Sequence, residues 1–343
     1  MNTQARIAEQ LNLSQATVSR VLSRPDQVNA KTRQRVLEAF ERLGYRPNEL
    51  ANRFRENCLQ MIGVNVASLR HTYFPSIIDG AEEAADERGY GVVVRCTHND
   101  AGAERSAIEQ MESLRFRGVL TNPHPRGAPL YRQLRERGVP FVFIDRYLDN
   151  LDAHYVGTDN RLGAEQAINH LVDLRHQRIG LVCGPQTYSS YRDRLEGYRR
   201  ALSAHGRAKP DEWVFAGGDQ LEDGRRACQA WLRLPRESRP TALCCDNDST
   251  ATGVLLQAAA QGISVPRDLS VIGFAGFEWT EWLAVPLTTV QQHGIAIGRN
   301  AVELLVASPH ASVKPQRLEL EPELKVRAST GPPSDNEVFT RAN

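Results

Sequence analysis

The stretch Ser14-Gln-Ala-Thr-Val-Ser-Arg-Val-Leu22 decides how the rest of the chain is read. Val18, Val21 and Leu22 recur at i, i+3 and i+4, so they form one apolar stripe of a short helix that must pack on a neighbour. Gln15, Ala16, Ser19 and Arg20 lie off that stripe and are residue types that touch base edges. Ser14 is a good N-cap, because its hydroxyl can accept from the amides of the first turn. The spacing predicts the second helix of a helix-turn-helix.

The flanks agree. Thr3 can cap a first helix whose Ile7, Ala8 and Leu11 share a face, and Asn12 tolerates the left-handed backbone of a tight turn. Asn29-Ala-Lys-Thr-Arg33 opens a third helix with Val36, Phe40 and Leu43 as its core face and Gly44 as its end. Residues 1–56 hold ten Lys/Arg and six Asp/Glu, net +4, which leaves −3 for the remainder of a chain with total charge +1. A basic head on a slightly acidic body suits a module that meets phosphates and a body that does not.

At 343 residues the chain is long enough for two or three domains. Hydrophobic residues are 41% and charged ones 24%, the balance of a globular protein. No apolar run reaches the roughly 18 residues of a membrane span, and Met1 to Arg6 lacks a signal-peptide core, so a cytoplasmic location without membrane partners is expected. The cysteines at 58, 96, 183, 228, 244 and 245 show no zinc spacing and read as small buried hydrophobes.

From Met61 the rhythm changes to short apolar runs alternating with amphipathic stretches, the pattern of parallel α/β units. Strands are expected at 61–67, 91–96, 118–121, 140–145, 154–157, 179–184, 213–216, 241–245 and 270–274, with strand pieces between 318 and 326. Helices are expected from Ile77, Glu165, Arg194, Ala251 and Ile295. So many units imply two lobes around a cleft, with ligands at the carboxyl ends of strands. The expected bounds are a head at 1–46, a hinge at 47–58, a body at 59–330 and a disordered tail at 331–343. Within the body, one lobe takes 59–161 and 291–320 and the other 162–290 and 321–330.

The runs S-x-A-T-V-S-R-V-L, V-x-A-K-T-R-x-x-V and L-G-Y-R-P-N resemble the DNA-binding head of the LacI/GalR family of bacterial regulators. The body continues the resemblance through Asp159-Asn-Arg, Gly184-Pro, Gly197-Tyr, Asp246-Asn-Asp and Pro286-Leu-Thr-Thr. It implies an all-α head and hinge helix on an α/β, periplasmic-binding-protein-like body of two doubly wound lobes. It implies that Gln15, Ala16 and Arg20 face base edges and that Thr17, Ser19, Asn29 and Thr32 contact phosphates. Thr3, Ser14, Asn48 and Ala51 complete the DNA-facing set. Phe54 stands where the family places an apolar wedge, and a ring there can pry a base step open.

The resemblance further implies an effector pocket built from Tyr73, Phe74, Asp145, Arg146, Asp159, Ser190, Arg192, Arg194, Asn247 and Phe274. Ala275 and Gly276 replace an acid pair that many relatives carry, and the Trp-Thr-Glu run at 279–281 resembles regulators that answer to gluconate or ketogluconate. The expectation is a homodimeric repressor on a palindromic DNA operator, switched by a sugar or sugar acid, with no cofactor and no metal. Two other classes fit the sequence less well. An α/β enzyme lacks support from any GxGxxG, GxxxxGK[ST] or GxSxG run, and Asp246-Asn-Asp is a weak metal signal. A solute-binding protein of a transport system does not explain the basic head.

Overall fold

The computed structural model describes residues 3–23, 27–43, 59–70, 72–207, 210–308 and 314–334, with the side chains of 3–5, 22–23 and 59 excepted. The chain divides into two compact units, a small N-terminal one and a large body.

The N-terminal unit contains helices α1 (Thr3–Leu11), α2 (Gln15–Ser23) and α3 (Ala30–Arg42). Thr3 is the first helical residue rather than the residue before the helix. Asn12 sits at φ 54°, as its residue type allows, and the Leu13 amide donates back to the Ala8 carbonyl. Arg35 of α3 donates to the Leu11 carbonyl at 3.2 Å and so satisfies an end group of α1. Ser14 Oγ accepts from the Thr17 amide at 3.1 Å, and Asn29 Oδ1 accepts from Lys31 at 2.9 Å. Ile7, Ala8, Val18, Val21, Val36, Ala39 and Phe40 form the core. Leu43 does not join it. The helix stops at Arg42, Leu43 becomes its C-cap and is exposed, and Ala39 fills the place instead. Gly44 and the hinge with Asn48, Ala51 and Phe54 lie outside the described residues.

The body holds two sheets. In the first lobe, strands β1 (Leu59–Val66), β2 (Gly91–Cys96), β3 (Phe116–Thr121), β4 (Phe141–Ile144), β5 (Tyr155–Thr158) and β11 (Arg317–Leu320) lie in the order β11-β5-β4-β3-β1-β2. Helices α4 (Tyr73–Asp86), α5 (Ala101–Ser113), α6 (Ala128–Glu136) and α11 (Gly294–Ala307) belong to this lobe. In the second lobe, β6 (Ile179–Cys183), β7 (Val214–Ala216), β8 (Ala242–Cys245), β9 (Ser270–Ala275), β10 (Thr288–Gln291) and β12 (Glu323–Lys325) run β12-β10-β9-β8-β6-β7, with only β12 antiparallel to its neighbour. Its helices are α7 (Asn160–Asp173), α8 (Ser189–Ala204), α9 (Leu221–Arg233) and α10 (Asp248–Ala260). The chain passes between lobes after β5, after β10 and between β11 and β12.

Both sheets are doubly wound, and their strand order reverses between β1 and β3 and between β6 and β8. Such reversals open a crevice at the carboxyl ends of strands. The inner strands are buried on both faces, as in Phe141–Ile144, Ile179–Cys183 and Ala242–Cys245. Cys183, Cys244 and Cys245 are buried in these strands, Cys228 is buried on α9, and Cys96 is half-buried. The segment after residue 330 does not begin as a loose tail. His176 Nε2 lies 2.9 Å from the Gly331 carbonyl, and the Gly331 amide donates to Ser270 Oγ at 3.1 Å. Residues 335–343 lie outside the described set.

Candidate functional site

The first candidate surface is on the head. With Val18 and Val21 buried, α2 turns Gln15, Ala16 and Arg20 outward, and Thr17 and Ser19 stand half-exposed beside them. Thr32 at the start of α3 is half-exposed, and Asn29 is exposed at its cap. Among the described residues the core of the head is filled by apolar side chains, not by these polar groups. A helix anchored on one face with its first turn free is the shape that enters a major groove.

The second lies where the two crevices of the body face each other. Arg194, on α8, is its centre. The side chain is 6% exposed. Its Nε donates to Asn160 Oδ1 at 2.8 Å, its Nη1 donates to the Asp246 carbonyl, and its Cζ sits over the Phe274 ring, 3.8 Å from the centroid. Nη2 has no hydrogen-bond partner among the described residues. Asp246 is just past β8, at the strand-order reversal. One of its carboxylate oxygens accepts from the Gly184 amide at 2.8 Å, and the other, Oδ1, is buried with no hydrogen-bond partner among the described residues. Burial raises this carboxyl to about 6, with Arg194 and the Gly184 amide opposing the rise.

The facing lobe supplies a matching set at its own reversal. Asn65 and Asn122 end β1 and β3 and are joined by the Asn122 amide donating to the Asn65 carbonyl at 2.9 Å. Asp145, past β4 at φ 64°, accepts from Asn122 Nδ2 at 2.8 Å. Both Asn65 side-chain polar atoms, Asn122 Oδ1 and Arg146 Nε are buried without a hydrogen-bond partner among the described residues, although Arg146 Nε lies 3.6 Å from Asp145 Oδ2 as an ion pair. Buried polar atoms are nearly always paired in a protein, so such a concentration marks a place that takes up polar groups from elsewhere. Tyr73, at the start of α4, joins the two sets. Its phenol is pushed well above its ordinary value by burial and then by Asp145 and Tyr155, while Arg194 of the other lobe acts in the opposite sense. Tyr73, Ala275, Gln291 and Gln292 also line a cavity of about 610 Å³ that opens beside the lobe crossings.

The remaining predicted residues take other places. Asp159 caps α7, accepting from Leu162 at 2.9 Å, and sits at a crossing between lobes. Asn247 caps α10 through Oδ1, accepting from Ser249 at 2.8 Å. Phe74 packs on the first lobe's core. Ser190 is buried in the first turn of α8, and its neighbour Ser189 makes the contact across lobes, accepting from the Tyr147 amide at 2.9 Å. Arg192 is a rim residue paired with Asp149 at 2.9 Å. Sequence reasoning missed Tyr147, whose hydroxyl donates to Asp193 of the second lobe at 3.0 Å, and Tyr188, whose ring carries the Arg146 guanidinium at 4.0 Å. An unusual asparagine inside an apolar strand, Asn65, was the one visible signal for the first-lobe set.

Comparison with known proteins decides the family. Residues 5–48 match bacterial regulatory proteins of the lacI family, and residues 168–330 match a periplasmic binding protein-like domain. An uncharacterized HTH-type transcriptional regulator of Streptomyces limosus is 36% identical over 95% of this chain and 93% of its own length. The chain belongs to the LacI family.

The HTH-type transcriptional repressor CytR of Escherichia coli (strain K12) is another LacI-family relative, 34% identical over 89% of each chain. Among solved structures, a Lac repressor dimer bound to operator and an anti-inducer superposes with a TM-score of 0.83, at 27% identity, covering 95% of this chain and 98% of that one. This LacI-family protein is therefore a transcriptional repressor with a DNA-binding domain and an effector-binding domain, and not an enzyme. No described helix is long and apolar enough to cross a membrane.

Proposed function

We propose that the protein represses genes for the use of a sugar acid, and that gluconate, 2-ketogluconate or a close relative binds between the two lobes and resets operator affinity. The observation that carries this reading is the Nη2 edge of Arg194, unbonded among the described residues and held over the Phe274 ring beside buried acceptors and donors from both lobes. A guanidinium fixed in its plane suits a ligand carboxylate, and the orphaned amides suit hydroxyls. At the usual acid position stands Ala275, which adds no competing charge. One feature favours a second reading. Asp145 and Asp246 balance Arg146 and Arg194, and such a balanced set also suits a neutral polyol. Calorimetric titration of the full-length protein with gluconate, 2-ketogluconate and neutral hexoses separates the two. Binding confined to neutral hexoses would refute the sugar-acid reading.

On the DNA side, Gln15, Ala16 and Arg20 are the base-facing residues, and Thr3, Ser14, Thr17, Ser19, Asn29 and Thr32 hold the backbone. Asn48 and Ala51 position the hinge, and Phe54 is the minor-groove wedge, so Phe54→Ala reduces operator bending in a circular-permutation gel assay. The operator is palindromic because the protein acts as a homodimer in the cytoplasm. Trp282 at 83% exposed, Leu256 and Leu221 are apolar side chains on the body that a second copy could cover. Sedimentation of the purified protein as a monomer at micromolar concentration would contradict the dimer.

A further inference from the structure

Beneath the first-lobe crevice lies a buried carboxyl that the effector reading does not use. Glu104, in the first turn of α5, is 1% exposed. Its Oε1 accepts from the Tyr131 hydroxyl at 2.5 Å and from the His124 amide at 3.0 Å. Tyr131 is bound in turn to Thr121 Oγ1 at 2.8 Å. Oε2 is buried without a hydrogen-bond partner among the described residues. The loop from Asn122 to Gly127 is thus tied to α5 through one oxygen of one side chain. That loop has a second attachment. The His124 ring stands edge-on to Tyr188 of the second lobe, at 6.4 Å and 90°, while Arg146 covers the face of the same ring. Tyr188 is therefore gripped by two residues of the opposite lobe, and one of them is placed by Glu104.

We infer that Glu104 is a positioning residue of the effector cleft: it sets the His124–Tyr188 contact between lobes, and its ionisation loosens that contact. This rests on the cleft between lobes being the effector site. The physical reason is Oε2. A neutral carboxyl leaves no buried charge. A carboxylate leaves a charge on an oxygen that no described donor reaches, and water can relieve it only if the loop at 122–127 moves. The groups that face the carboxyl are Tyr131 from α6, Thr121 beyond it, His124 from the loop, Arg146 from the end of β4 and Arg105 on its own helix. Burial outweighs the two arginines and both hydrogen bonds, and the carboxyl titrates near neutrality, at about 7. The folded value is raised above the unfolded one, so the favourable contribution is complete below about 4.5 and is lost as pH rises through about 7. The lobe contact is firm on the acid side of neutrality and loose on the alkaline side.

Hydrogen exchange of the full-length protein, free of DNA and ligand, tests this at about pH 6 and about pH 8, with rates corrected for the intrinsic effect of pH. Peptides spanning 122–127 and 186–191 are expected to open about tenfold more readily at the higher pH, while the second-lobe core does not change, because a single carboxyl titrates in that window. Glu104→Gln keeps the size and stays neutral, and it is expected to show the same protection at both pH values. Equal pH responses in wild type and Glu104→Gln, or no response in wild type, would overturn the inference. Should Glu104→Gln fail to fold, Tyr131→Phe removes one donor to the carboxylate, and the transition moves to higher pH. An unmoved transition overturns the inference as well. Because no effector enters the assay, an error about effector identity leaves this result readable.

Discussion

Arg194 and Phe274 face each other at 3.8 Å, a helix residue and a strand residue whose contact fixes the plane of the guanidinium in the second lobe. The stack explains why a flexible side chain can be a precise binding group. Its Nε and Nη1 are committed to Asn160 and the Asp246 carbonyl, so only one edge is left to offer. Arg194→Lys keeps the charge but loses the fork and the stack. We expect effector affinity to fall roughly tenfold to a hundredfold, the range for losing hydrogen bonds to a charged group, with operator binding in the absence of effector unchanged. Calorimetry and gel shifts on one preparation read both numbers. A variant that responds to effector like wild type would remove Arg194 from the pocket.

Tyr147 makes the next prediction. Its hydroxyl donates to Asp193 across the lobes, and Arg161 reaches the same carboxylate at 2.7 Å. Tyr147→Phe deletes the hydroxyl and little else. Stability should fall by about 1–2 kcal/mol in urea unfolding, and the effector concentration needed to release operator should shift. A shift in stability alone, with no change in the effector midpoint, would make the contact structural and not part of the switch.

His176 gives a pH prediction with the opposite sign to Glu104. The ring is fully buried, with Nδ1 2.7 Å from Thr241 Oγ1 and Nε2 beside Ser270 Oγ and the Gly331 carbonyl. Burial lowers it to about 4, against a smaller upward pull from the Gly331 carbonyl. The folded value lies below the unfolded one, so its contribution is present above about 6.5 and is lost as pH falls toward about 4. His176→Leu should be less stable than wild type at neutral pH and should lose less on acidification. Thermal melts at a series of pH values between about 4.5 and 7 give the difference curve. A parallel loss in both proteins would assign the acid sensitivity to other groups.

For the head, Arg20→Ala is expected to cost about 1–3 kcal/mol on the operator and to relax its sequence preference, while Thr17→Ala weakens all duplexes alike. Competition gel shifts with scrambled duplexes at two salt concentrations distinguish them. If Arg20→Ala weakened specific and scrambled duplexes equally, that side chain would be a phosphate contact and not a reader of bases.

The head was legible from the sequence because local rules govern it. Asn12 takes the left-handed turn its residue type permits, and Ser14 caps as its position demands. Leu43 was misplaced because the helix ends one residue before it, which takes its side chain off the i, i+4, i+7 row. In the body, β10 escaped notice because Thr288 and Thr289 are polar, yet they are buried and satisfied. Thr288 Oγ1 meets Thr330 Oγ1 at 3.0 Å, and Thr289 donates to Asp248 at 2.5 Å. Arg194 was found through its motif. Asn122, Glu104 and Tyr188 were not, because each is ordinary in its own segment and acquires meaning only where strand ends and loops from distant parts of the chain meet; Asn65 alone stood out, as a polar residue in an apolar strand.

The pairing of α4 with α11 has a consequence for how the molecule is made. The two helices touch backbone to backbone: a Cβ at Gly80 would strike the Ile295 carbonyl, and one at Gly298 would strike that of Ile77. α11 and β11 come late in the chain, yet they complete the lobe that begins at β1. On the ribosome, the first lobe must therefore wait with the α4 face uncovered while most of the second lobe is synthesised. At roughly 5–20 residues per second, the interval between β5 and α11 lasts on the order of 10 seconds or more. Throughout that interval the apolar face of α4 lacks the helix that covers it in the finished lobe.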